Sequence, residues 1–151
     1  ASTRDALRSL APDHVVVPGG ASGVSDDVLA EVRDLVPGAE VERVAGADRY
    51  GTSRAVVALD QALRGDDTRR VHVVDGETWP DALTAGPAAA AAGSVVAMVH
   101  GGRADGAGSG MAHLSDLSNR LWRLDVTVVG GTAAISDRRA GALHGEVHCV
   151  S

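Results

Sequence analysis

Short valine-rich runs alternate with longer helix-compatible runs along the whole chain, and that alternation limits the fold more than any other feature. The segments "HVVVPG" (14–19), "EVERVA" (40–45), "RVHVVD" (70–75), "SVVAMV" (94–99), "DVTVVG" (125–130) and "EVHCV" (146–150) read as six strands. Between them lie "SDDVLAEVRDLV" (25–36), "DRYGTSRAVVALDQAL" (48–63), "PDALTAGPAAAAAG" (80–93), a stretch from about Met111 to Trp122, and "SDRRAGAL" (136–143), all helical in pattern. A chain of strand, helix, strand units builds a parallel sheet covered by helices, and near-continuous valine suits strands buried on both faces. The sequence therefore predicts a single α/β domain over residues 14–151, Rossmann-like, with a mainly parallel sheet flanked by helices. Residues 1–13, in which Pro12 would stop "TRDALRSL", form an N-terminal helix or tail.

Local signals place the ends of these elements. Ser25, Ser136 and Asp48 stand where a side-chain oxygen can accept the unpaired N–H groups of a helix start. Gly38, Gly65 and Gly93 follow helix ends, where a left-handed residue is expected. Pro87 falls inside the third long helical run and predicts a kink or break near Gly86. "GGRADGAGSG" (101–110) reads as a loop.

An internal repeat is superimposed on this alternation. "VVVPGGASGVSDDVLAEV" (15–32) matches "VTVVGGTAAISDRRAGAL" (126–143) at an offset of 111 residues, with Val15 over Val126, Gly19-Gly20 over Gly130-Gly131 and Ser25-Asp26 over Ser136-Asp137. A strand follows each copy, so the last β-α-β unit restates the first. The chain holds one full repeat and part of another. Both Gly-Gly pairs mark strand-to-helix turns.

Composition removes several function classes. All 14 basic residues are arginine. Without lysine there is no Walker A phosphate grip, no Schiff base and no Tyr-Lys dehydrogenase pair. A net charge of −6, with no basic stripe interleaved with aromatics, excludes a general nucleic-acid partner. Cys149 is the only cysteine, which rules out an internal disulfide and a cysteine-pair zinc site. No run of 18 apolar residues would insert into a membrane. The opening "ASTRD" suits a chain whose signal peptide has been removed, and suits a trimmed chain equally.

The candidate site residues lie at strand ends. "VAGADRYGTS" (44–53) sets Asp48, Arg49 and Tyr50, the chain's only tyrosine, at the mouth of a helix, and "WPDAL" (79–83) adds Trp79 and Asp81 at another. Parallel strands deliver both motifs to the same carboxyl edge, where ligands usually collect. Asp48 would cap its helix, and Arg49 would bond Asp81 or a carboxylate of a neighbouring module, with Tyr50 packed beneath. Trp79 either stacks on a sugar ring or serves as a packing wedge. The glycines after Val17 invite comparison with a dinucleotide turn, but the spacing is not G-x-G-x-x-G, so no cofactor is expected. His144 and His148 are separated by Gly145 and a strand pattern, so no metal site is expected either.

Three segments together, "RVAGADRYGTS" (43–53), "VVDGETWPDALTAGPAAAAAG" (73–93) and "VTVVGGTAAISD" (126–137), resemble the successive motifs of the cell wall-binding repeat 2 family. The resemblance covers residues 43–140 as a full repeat and 14–42 as a half repeat. It implies a Toprim-like α/β module, extracellular, in a secreted surface protein of a Gram-positive bacterium. Such modules pack about a pseudo-threefold axis and attach a protein, without catalysis, to an anionic wall polymer. Asp48, Arg49, Tyr50, Trp79 and Asp81 then become the polymer-binding or module-interface set. The acidic net charge requires a local arginine or a bridging cation to meet such a polymer. A lone repeat leaves faces uncovered, which implies self-association, with a closed trimer the preferred form. Two rival readings stand beside this one: a Rossmann-like nucleotide-binding domain or enzyme, and a self-assembling surface protein.

Overall fold

Ser2 opens the first helix, α1 (Thr3–Leu10), through a reciprocal cap in which its hydroxyl accepts the Asp5 N–H and the Asp5 carboxylate accepts the Ser2 N–H. The helix ends on Ala11, left-handed at φ 41°, directly before Pro12. The computed structural model describes residues 2–65, 69–101, 124–131, 135–136 and, for the backbone, 147–150. Within them the chain runs through β1 (His14–Pro18), α2 (Asp26–Leu35), β2 (Glu40–Val44), α3 (Arg49–Arg64), β3 (Arg70–Asp75), α4 (Trp79–Ala92), β4 (Val95–Val99), β5 (Asp125–Val129) and β6 (Val147–Val150). Every strand expected from the valine runs is present, to within one residue at each end. The expected helices over 111–122 and 136–143, the loop beyond Gly101, and His144 lie outside the described residues.

All strand pairs are parallel, which makes the chain an α/β structure. The single sheet expected from the sequence is, however, two: β1 pairs with β2, and a second sheet runs in the order β4-β3-β5-β6. At β4 the outer edge of the larger sheet lies against α3, where Ser53 Oγ accepts the Met98 N–H at 2.8 Å.

The core sits in the larger sheet. Val57 of α3, Val71 and Val73 of β3, Val99 of β4 and Val126 of β5 are fully buried, and Leu124, Val128 and Ile135 nearly so. With no Phe to fill space, β-branched side chains and the alanines of α4 let the layers approach closely; Ala85 and Ala89 are the α4 residues that face inward. In the smaller sheet Val15, Val16 and Val17 remain only half-buried.

Two local expectations are corrected. The α4 helix runs through Pro87 without a break. The carbonyl four residues earlier loses its helical donor, but Leu83 and Pro87 both face solvent, so water can take that bond and the helix survives. Gly38 is not left-handed, because α2 already ends at Leu35 with Val36 as its cap at φ −131°. Gly93 is left-handed as expected, and Gly65 has positive φ.

Candidate functional site

The site begins at the start of α3. Asp48 takes extended backbone and its Oδ1 accepts the Gly51 N–H at 2.6 Å, which satisfies one donor of the helix start. This cap sets the helix direction, so that the next two residues project toward the end of β3. Arg49 donates from Nη1 to the Gly76 carbonyl at 2.7 Å. Tyr50 is buried, and its hydroxyl donates to Glu77 Oε1 at 2.5 Å.

Beneath the Tyr50 ring lies Gly76. A β-carbon there would stand 2.6 Å from Tyr50 Cε1, so only glycine permits the contact. His100, at the end of β4, stacks on the same ring with centroids 5.6 Å apart, and its Nε2 lies 3.8 Å from Glu77 Oε1. Burial, followed by the bond to Glu77 and that residue's negative charge, pushes the Tyr50 phenol up to about 12. It is a protonated donor throughout the physiological range.

Asp75 organises the turn into α4. Its carboxylate accepts the Glu77 N–H at 3.2 Å and the Gly101 N–H at 2.9 Å through one oxygen, and the Thr78 hydroxyl at 3.2 Å through the other. Asp81 lies 3.4 Å from that same hydroxyl, whose single proton serves the nearer Asp75. The corner thus joins residues 48–50 to residues 75–81. Arg49 reaches a backbone carbonyl, however, and among the described ion pairs none links it to Asp81.

Trp79 stands apart from this buried network. It is 72% exposed at the first position of α4, and Leu83, one turn on, is 67% exposed. Against the described residues Trp79 is not a packing wedge, and with Leu83 it leaves an apolar face at the rim of the corner. The paired glycines behave alike in both copies: Gly19 has φ 106° and Gly130 φ 118°, values an L side chain rarely takes, while Gly20 and Gly131 have open space around them.

A cleft of about 490 Å³ opens between the glycine turn after β1 and the start of α3, lined among others by Gly19, Gly23, Asp48, Arg49, Val56 and Met98. Among the described residues no cluster of three His, Cys, Asp or Glu could hold a metal ion. No described helix is long and apolar enough to cross a membrane.

Sequence reasoning passed over Asp75, Gly76, Glu77 and His100, although "VVDGE" carried a signal in an acid-Gly-acid step at a strand end. It also passed over Arg43. From β2, Arg43 donates to the Gly19 carbonyl at 2.8 Å and to Asp26 at 3.1 Å, fastening the glycine turn and the start of α2.

Residues 43–139 match the family described as Cell wall binding domain 2 (CWB2). Two solved structures from Clostridium difficile are similar in fold. Cwp6 is 19% identical with a TM-score of 0.77, over 97% of this chain, and Cwp8 is 24% identical with a TM-score of 0.67, over 93%. The chain spans 22% of the length of each. No curated protein matches it.

Proposed function

Since the chain belongs to the cell wall binding domain 2 family, we propose that it is a non-catalytic, extracellular module that holds a secreted surface protein of a Gram-positive bacterium on an anionic glycopolymer of the wall. The family match over residues 43–139 carries this reading. In that division residues 14–42 are a half repeat and 43–140 a full one, in a Toprim-like arrangement. Trp79 and Leu83 supply the exposed apolar face a sugar ring needs, and Arg49 supplies positive charge at the neighbouring corner. Asp48 and Tyr50 hold that corner in shape, with Asp81 at its rim.

The chemistry of the corner supports a binding role over turnover. Asp48 is committed to a helix N–H, Asp75 to two N–H groups and a hydroxyl, and the Tyr50 phenol stays protonated. The cleft suits a nucleotide poorly. The helix starts beside the glycine turn are occupied by Ser25 and Asp48, and a carboxylate there repels a phosphate. No cofactor or metal enters this reading. Self-association, with a closed trimer preferred, would cover the Trp79–Leu83 face in part, and light scattering at about 100 μM tests it.

Co-sedimentation with polymer-bearing and polymer-stripped walls tests the main proposal. Retention on intact walls alone is expected, and Trp79→Ala should weaken it about tenfold without loss of folding. Equal retention on stripped walls, or none on either, would overturn it.

A further inference from the structure

The free edge of β1 has a counterpart inside this same molecule whose partner is known. β1 and β5 are equivalent strands of the internal repeat, followed by the same glycine turn with the same positive φ. β5 lies between two neighbours, β3 on one side and β6 on the other, whereas among the described residues β1 pairs with β2 alone.

The direction of the backbone bonds shows which edge of β1 is free. In a strand, alternate residues turn their N–H and C=O to opposite sides. The Glu40 N–H donates to the Asp13 carbonyl and the Gly19 N–H to the Val44 carbonyl, so odd-numbered residues of β1 face β2. His14, Val16 and Pro18 face away. In β5 the Asp125 N–H donates to the Arg69 carbonyl, so Asp125, Thr127 and Val129 face β3. These are the repeat counterparts of His14, Val16 and Pro18. The free edge of β1 is therefore the edge that, in β5, carries β3.

We propose that the free edge of β1 takes up a parallel strand of the β3 kind from another repeat of this family, in the register that β3 keeps with β5. His14 would then sit beside a residue in the place of Arg70, Val15 beside Val71 and Val17 beside Val73. His14 and Val16 donate and accept, while Pro18 lacks an N–H and only accepts, so the ladder is one bond shorter than that of β5. The half-buried state of Val15, Val16 and Val17 follows from the vacant side of the strand. The donor is a repeat whose β3 has no β5-type neighbour of its own; a second folded copy of this chain does not qualify, because its β3 is held on both sides by β4 and β5. This inference concerns sheet completion and does not rest on the wall-polymer reading.

The test adds a synthetic peptide with the sequence of residues 69–77, "RRVHVVDGE", to the isotopically labelled full chain and follows amide exchange by NMR. The Val16 and His14 amides should slow by about tenfold or more at saturation, with the β2-facing Val15 and Val17 amides unchanged. The same peptide carrying Val73→Pro, which loses the N–H aimed at the Val16 carbonyl, should not protect, and neither should a peptide of residues 94–100. Unchanged Val16 exchange at millimolar peptide overturns the proposal, as does equal protection by the control peptides. Val16 protection that rises with chain concentration alone would instead assign the edge to a second copy, and would also overturn it.

Discussion

Residues 15–20 and 126–131 carry nearly the same letters, form parallel strands and end in glycines with nearly the same φ, yet they live in different surroundings. Val126 is wholly buried and Val128 almost so, while Val15 and Val17 keep part of their surface in water. The letters decide that a strand forms and that a glycine turn follows. Burial is decided by what lies alongside: β5 has strands on both sides and α4 against it, and among the described residues β1 has one partner strand. A hydrophobic strand is thus a statement about an expected environment, and only one of the two copies has that environment in full.

The sharpest way to test the link between the two regions is Gly46→Ala. Gly46 sits between β2 and α3, and a β-carbon there would fall 2.2 Å from the Gly51 backbone, which cannot move without dislodging the Asp48 cap. The expected loss is about 3 kcal/mol or more by chemical denaturation. A loss under about 1 kcal/mol would mean the two regions are joined more loosely than described.

Next comes the comparison itself, made with one substitution in both copies. Val126→Ala should cost about 2–3 kcal/mol and Val15→Ala less than about 1 kcal/mol, because only the first leaves a cavity in a closed core. Equal losses would break the argument that environment separates the strands. Arg43→Ala should cost about 1.5 kcal/mol, the scale of a charge-assisted bond, and should speed hydrogen exchange from Gly19 to Ser25 while leaving β3 and β5 unaffected. Uniform acceleration across both sheets would show that Arg43 supports the whole fold.

The smallest effects are those of pH. Burial holds the His72 imidazole below its ordinary 6.5, against a weaker pull upward from Asp125, so the folded ring takes up a proton less readily than the unfolded one. The unfolded chain takes up its proton as pH falls through about 6.5, so this stability is complete above that value and declines below it. Melting temperatures between about pH 5 and 8 should show the slope, and His72→Gln should flatten it. Tyr50 behaves in the opposite sense. Its phenol ionises near 10 when unfolded and at about 12 in place, so stability falls as pH rises from 10 through 12. As the chain has a single tyrosine, ultraviolet absorbance reads that titration directly; phenolate appearing near 10 in the folded protein would place Tyr50 outside the buried corner.

Much of this architecture was legible in local pattern. Valine runs marked the strands because a strand buried on both faces leaves no room for alternation, and Ser25 and Asp48 announced helix starts because few side chains can take those N–H groups. The division into two sheets was not legible, since which strands pair is decided between residues far apart in the chain and no local pattern records it. Pro87 misled because the cost of a proline in a helix depends on whether water reaches the freed carbonyl, which is a property of the surface. At the site, proximity of the two motifs could be inferred from parallel strands. The acceptor of Arg49 could not, because a backbone carbonyl carries no letter, and Glu77 and His100 enter only through the ring of Tyr50.

The bond from Met98 to Ser53 gives the larger sheet a polarity. On the β4 side the next layer is a helix already fastened in place, so a strand arriving there would have to break a side-chain bond and push α3 aside. The Met98 N–H at this edge is already satisfied and is not offered to another strand. Concentrated protein is thereby guarded, at this boundary, against the stacking of like edges that begins fibre growth.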